Sequence, residues 1–271
     1  MAGGLTLGDL ETALKLEATG DQQWHGRADP AYEGNTGMYG GFTAALLLKS
    51  IVSEPSVQGA PSALTVNFIK AVPAGSDVIL RTRLLGATRS IQNWVAELSI
   101  SGNGDVCALA TVVTTSRREV EGFIHPVMPE VPAPEQVEPT IYPSKFGRQS
   151  PVRPVLGMDF SKGSHLGRTH SAQWIREISG RRIDAVQVAY LCDNYPPRPF
   201  FTSKGLRPSS TVAYSVYFVA TPEEIAAVGE DFTLIDVIGT RAVNGTAGSR
   251  VNLWSRAGTL LATSEQLCWY R

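Results

Sequence analysis

Tyr39-Gly-Gly-Phe-Thr-Ala-Ala-Leu-Leu-Leu-Lys49 and Ile183-Asp-Ala-Val-Gln-Val-Ala-Tyr-Leu-Cys-Asp193 decide the fold, because the chain says much the same thing twice. The first stretch precedes Thr65-Val-Asn-Phe-Ile-Lys-Ala-Val-Pro73, and the second precedes Tyr214-Ser-Val-Tyr-Phe-Val-Ala-Thr-Pro222. Each half then closes around a glycine turn, at Gly104-Asp-Val-Cys-Ala-Leu-Ala110 and at Gly258-Thr-Leu-Leu-Ala-Thr-Ser264. Residues 37–115 are therefore repeated loosely as residues 181–270. From 41 to 52 the residues are apolar on nearly every side, which predicts a helix buried all round. Pro55 and Gly59 stop it. Alternating stretches at Ala63–Val72, Val78–Leu85, Gln92–Ile100 and Val106–Thr115 read as strands, the last two joined as a hairpin through Ser101-Gly-Asn-Gly-Asp105. One buried helix wrapped by an antiparallel sheet is an α+β arrangement.

The second copy keeps the order. Asp184 is a good N-cap for a helix reaching Asn194, which Pro196-Pro197 end. Strands are expected at Thr211–Ala220, Phe232–Arg241, Ser249–Trp254 and Thr259–Tyr270. A leading strand falls within residues 164–178, and Leu14–Trp24 takes that place in the first copy. Six prolines (126, 129, 132, 134, 139 and 143) exclude a long helix between the copies, since each would cost a helix interior about 3 kcal/mol. The expected division is an N-terminal unit over 1–122, a proline-rich connection over 123–150 and a C-terminal unit over 151–271.

Of 271 residues, 43% are apolar and 18% charged, the balance of a globular chain. A net charge of −1 gives no electrostatic case for nucleic acid or an anionic membrane. Cys107, Cys192 and Cys268 lie far apart in apolar runs, with no CxxC spacing, so a reducing compartment is expected. The first ten residues carry no basic region followed by an apolar core, and no run of about 20 apolar residues occurs. A cytoplasmic, soluble protein is the expectation. Sheet edges on both units predict self-association, as a homodimer or higher homo-oligomer.

Candidate chemistry is confined to the second copy. Matching the copies by their flanks sets Lys49 against Asp193, Ser62 against Thr211 and Val112 against Gln266. A carboxylate, a hydroxyl and a carboxamide thus stand where the first copy has an amine, a hydroxyl and a pair of methyls. Asp193 follows Ala185, Val186, Val188, Ala189, Tyr190, Leu191 and Cys192. Such surroundings would desolvate it, raise its pKa and suit it to general-base work. The competing reading is a solvated last-turn carboxylate beside the helix's negative end. Gln266, among Leu260, Leu261, Ala262 and Leu267, is either inward and in need of a partner, such as bound water, or outward and solvated. Thr211 could equally be an ordinary strand residue. Gly40-Gly41 either present open N–H groups at a helix N-terminus or form a turn that needs glycine's dihedral freedom. Gly102-Asn-Gly104 opens no helix, no GxSxG occurs, and His165 and His170 lack a zinc spacing; no metal or other cofactor is expected.

Met38-Tyr-Gly-Gly-Phe42, Ala189-Tyr-Leu-Cys-Asp193, Ser210-Thr-Val-Ala-Tyr-Ser-Val-Tyr-Phe218 and Leu261-Ala-Thr-Ser-Glu-Gln266 make the chain similar to the acyl-CoA thioesterase II (TesB-like) family over residues 20–271. The resemblance implies a double hotdog, two tandem helix-in-sheet units, and hydrolysis of acyl-CoA to free acid and CoA. In that family an Asp, a Thr or Ser and a Gln jointly hold the attacking water. Carried over by motif, they are Asp193, Thr211 and Gln266. Two departures stand out: the family's Asp-His-Ser after the Thr is Ala213-Tyr214-Ser215 here, and the His common in the first-copy strand is missing from Thr65-Val-Asn-Phe68. A hotdog dehydratase would need a His at a helix, and none lies near either one. A non-catalytic acyl-CoA binder is the other alternative. Direct water attack and an acyl–carboxylate intermediate are both open at this level.

Overall fold

The computed structural model describes residues 8–157, 167–202 and 207–271; His165 and residues 1–7 lie outside that set. In chain order the elements are α1 (Leu10–Ala13), β1 (Glu17–Gly20), β2 (Gln23–Arg27), α2 (Gly40–Val52), β3 (Ala60–Phe68), β4 (Asp77–Ala87), β5 (Ile91–Ile100) and β6 (Val106–Thr115). After the crossover come α3 (Lys145–Gln149), β7 (Val152–Leu156), β8 (Ser171–Ile175), α4 (Ala185–Leu191), β9 (Ser209–Phe218), α5 (Pro222–Ala227), β10 (Thr233–Val243), β11 (Thr246–Ser255) and β12 (Leu260–Tyr270).

Among the described residues, twelve strands form one antiparallel sheet in the order β1-β2-β4-β5-β6-β3-β9-β12-β11-β10-β8-β7. The two halves meet at β3 and β9, where Thr65 pairs with Ser215 and their hydroxyls lie 3.0 Å apart. Strand alternation follows from the pleat: Gln92, Trp94, Ala96 and Leu98 of β5 turn inward while Ile91, Asn93 and Glu97 turn out. The buried faces close over α2 and α4, which pack against each other, and a single apolar core runs through both halves. α2 buries Phe42, Leu46, Leu47, Leu48 and Ile51, each worth roughly 1.5–3 kcal/mol of transfer free energy. A smaller cluster of Trp174, Phe232, Leu234 and Trp254 sits at the β8 end, covered by Met128 and Val131 from the crossover.

Several expectations are adjusted by the structure. The strand after α2 is not followed in space by β4: it leaves the sequence order to pair with β6 on one side and β9 on the other. The proline-rich connection contains a 3-10 turn at Pro134–Gln136 and the short α3, capped by Ser144. The expected leading stretch Leu14–Trp24 holds β1 and the start of β2, while β7 and the capping-box helix α5 (Thr221 with Glu224) are additional elements. α4 ends at Leu191 rather than Asn194. Its last four carbonyls are all satisfied: Val188 by Cys192 N–H, Leu191 by Asn194 N–H, and Ala189 and Tyr190 by the phenols of Tyr214 and Tyr39. That is how a short helix ends inside the core without orphaned acceptors.

The copies also match differently from the flank-based reading. β3–β6 and β9–β12 carry register shifts at corresponding points, Pro61/Ala63 and Leu267/Cys268. This common bulge sets Pro61, not Ser62, against Thr211, while Val112 keeps its place against Gln266. Counting from the N-caps Tyr39 and Asp184 sets Leu48, not Lys49, against Asp193. The first copy therefore offers a ring, an isobutyl group and two methyls where the second has polar groups.

Candidate active site

Asp193 lies just beyond α4, whose axis no longer constrains it, and is 7% exposed. Its carboxylate reaches across to the other half of the chain and lies against the start of α2, where the Gly41 backbone favours its charged form. The positive end of α2, not the negative end of α4, is its electrostatic neighbour. Burial nonetheless dominates and pushes its pKa up from 3.8 to about 7, against the lowering effect of the Gly41 and Gln266 hydrogen bonds.

Gln266 pairs with Tyr214 in the β9–β12 ladder and faces the same side. Regular alternation would turn Thr211 away from it. The bulge sends Val212 outward, 39% exposed, and brings Thr211 round to the concave face. Gln266 Nε2 then donates to Asp193 Oδ1 and, over 2.9 Å, to Thr211 Oγ1. The acid, the alcohol and the amide converge as one hydrogen-bonded set, and both hydrogens of the amide nitrogen are used within it.

Gly40 and Gly41 are explained by close approach. Neither has a positive φ. A Cβ on Gly40 would lie 2.8 Å from Asp193 Oδ2, and one on Gly41 would lie 2.5 Å from the Tyr190 carbonyl oxygen. The tight-turn reading of this pair is thereby replaced. Of the two amides, that of Gly41 acts on Asp193, whose pKa it lowers. Gly40, which lines the cavity, is left as the candidate donor to a substrate carbonyl.

Asp193, Thr211 and Gln266 border a cavity of about 660 Å³, whose apolar wall includes Met38, Phe68, Tyr142, Phe146 and Phe200. Such a cavity is of ordinary size for a small-molecule site. Tyr142 and Phe146 come from the crossover, and Phe146 stacks on Tyr39 with ring centroids 4.2 Å apart. The connection between the copies thus builds part of the site, which its proline content did not announce. Tyr195, bonded to both Ser249 and Gln266, and Ser249 itself were also missed; nothing in their local sequence separates them from ordinary core residues. His170 lies elsewhere, bonded to Asp236. Among the described residues no group of three or more His, Cys, Asp or Glu side chains is gathered as for a metal ion, and no helix is long and apolar enough to cross a membrane.

Residues 28–115 match the acyl-CoA thioesterase N-terminal domain, and residues 126–270 match the acyl-CoA thioesterase C-terminal domain. The chain belongs to the acyl-CoA thioesterase family. Its fold is the double hotdog of the TesB-like members, and family and fold together put it among hydrolases that act on thioesters. A protein of unknown function with a hot dog fold from Alicyclobacillus acidocaldarius is 31% identical, with a TM-score of 0.91 over 97% of each chain. The tesB protein of Mycobacterium avium subsp. paratuberculosis is similar in fold at 21% identity, with a TM-score of 0.79 over 98% of this chain and 100% of its own. An acyl-CoA thioesterase II from Mycobacterium marinum is similar in fold at 16% identity, with a TM-score of 0.74 over 97% and 98% of the two chains. Among curated proteins, none matches the sequence.

Proposed function

We propose that this thioesterase hydrolyses acyl-CoA with Asp193 as general base, Thr211 as a ligand of the attacking water and Gln266 as the group that fixes both. The observation that carries the reading is the buried Asp193 carboxylate, with a pKa of about 7, sharing the Gln266 amide with Thr211 at a cavity wall. Water bound between Asp193 and Thr211 gives its proton to the carboxylate as its oxygen attacks the thioester carbon. The C–S bond then breaks, and the departing thiolate takes the proton back from Asp193. General-base assistance of this kind contributes about 10²–10⁴-fold. Gly40 N–H is the proposed donor to the developing oxyanion, at the positive end of α2. The acyl group lies against Met38, Phe68 and Phe146.

Because Gln266 Nε2 already serves two acceptors, its part is to orient the acid and the alcohol rather than to bind water alone. The buried, unpaired cysteines accord with a reducing, cytoplasmic setting. A homodimer belongs to the same reading. The free edges β1 and β7 are short, however, and β7 carries Pro154, so strand addition there is discouraged; sedimentation measures the state. Thiol release from a panel of acyl-CoAs tests the function. Turnover by the wild type and a loss of at least about 100-fold in Asp193→Asn are expected. Binding of acyl-CoA without any turnover would make the chain a carrier instead.

A further inference from the structure

Ser249 of β11 and Gln266 of β12 are cross-strand partners. Between them stands the phenol of Tyr195, 2.7 Å from Ser249 Oγ and donating to Gln266 Oε1 over 3.2 Å. Tyr195 is buried, and its backbone N–H bonds to the carbonyl of Asp193 two residues earlier. One turn therefore carries both the proposed base and a group that grips the far end of the proposed amide. The Arg198 guanidinium lies over the Tyr195 ring, 5.2 Å from its centroid, which holds the ring in place.

A carboxamide can turn end for end with little change in shape. Turned over, Gln266 would set its carbonyl oxygen against the Asp193 carboxylate and remove both donors from the acid and the alcohol. The charge of Asp193 opposes this while the acid is ionised, but that opposition lapses each time Asp193 takes up a proton. The Tyr195 phenol is then the contact that keeps the oxygen end where it belongs. With Ser249 donating to Tyr195 Oη, the phenol proton is directed at Gln266 Oε1, and the chain of donors runs one way to Asp193.

We infer that Tyr195, braced by Ser249, is a positioning residue that holds the Gln266 amide in the orientation serving Asp193 and Thr211. The inference rests on the Asp–Thr–Gln reading, and a double-mutant cycle separates the two. Tyr195→Phe removes one hydroxyl and leaves the ring. Its kcat on acyl-CoA falls about five- to tenfold, the effect of one buried neutral hydrogen bond, with KM changed less than about twofold. The acid limb of its pH–rate profile moves to higher pH, because Gln266 donates less well to Asp193. In a Gln266→Ala background the same substitution causes no further loss, since its target is gone. Ser249→Ala, which leaves the phenol in place, gives a smaller fall of about two- to threefold and is the variant to use in the cycle should Tyr195→Phe not fold. Wild-type kcat in Tyr195→Phe, or an equal loss with and without Gln266, overturns the positioning role alone. Wild-type kcat in Gln266→Ala overturns the Asp–Thr–Gln reading and this inference with it.

Discussion

Asp193→Asn is expected to disable the enzyme and to make it more stable, and the second effect depends on pH in a calculable way. An aspartate raised from 3.8 to about 7 disfavours the folded state whenever it must be ionised there. Below pH 4 the carboxyl is neutral folded and unfolded, and nothing is lost. Between pH 4 and 7 the unfolded chain ionises first, so the stability from this group declines as pH rises, and it levels off above pH 7. At about 1.36 kcal/mol per pKa unit, the accumulated penalty is about 4 kcal/mol. Asparagine carries no charge and escapes it. Its NH2 group, however, takes the place of one carboxylate oxygen between Gln266 Nε2 and the Gly41 backbone, and leaving a buried donor there unmatched costs about 1–3 kcal/mol. The variant should thus be about 1–3 kcal/mol more stable than wild type at pH 8, a rise of several degrees in Tm, and no more stable at pH 4.5. Urea midpoints at the two pH values measure this, beside thiol release at pH 8. A stability difference that does not change between the two would mean that Asp193 is not held in a desolvated site, and the argument for it as a base tuned near neutrality would fail.

Other consequences are more direct. In wild type, kcat/KM should fall about tenfold per pH unit below pH 7 as Asp193 takes up its proton, and an acid limb centred near pH 4 would assign the base elsewhere. Gly40→Ala drives a methyl toward Asp193 Oδ2 and should cut turnover at least tenfold while the denaturation midpoint barely moves. Gly41→Ala instead meets the Tyr190 carbonyl, so its effect is on folding, a loss of about 1–3 kcal/mol by urea denaturation. Tyr214→Phe leaves the Ala189 carbonyl without its donor inside the core; a loss of about 1–3 kcal/mol is expected, and none would show that water replaces the phenol.

What could be read from the chain was local and periodic. The apolar run 41–52 and the alternation in β4, β5, β6 and β12 gave the helix-in-sheet units, and the two versions of that pattern gave the duplication. Asp193 stood out because a carboxylate at the end of an apolar run has few cheap environments. What could not be read was set by pairing between distant segments. The position of β3 between β6 and β9 follows from the joining of two half-sheets, and no residue in Ala60–Phe68 encodes it. Thr211 faces Gln266 because of a bulge, and a bulge shifts which side chain points inward without leaving a mark on composition. Gly40 and Gly41 were equally readable as a turn or as an open helix start, because the groups that crowd them, Asp193 and the Tyr190 carbonyl, lie on the other copy. The departure at Tyr214 proved to be architectural: its phenol closes the end of α4. α5 begins at Thr221-Pro-Glu-Glu224, a legible helix start that falls where the repeat of the first copy has only the end of a strand.

Asp193 of the second half rests against the glycines that open α2 of the first. The proposed base and the glycines it rests against come from different halves of a single polypeptide, so under the proposed mechanism neither half is a complete catalyst by itself. In an assembly of identical single units every change in one unit would be copied into all of them. Tandem fusion lifts that restriction: Pro61, Leu48 and Val112 are free to be pure scaffolding while their counterparts carry the polar groups proposed as catalytic. The silent half then remains indispensable as the mould against which the working half is cast.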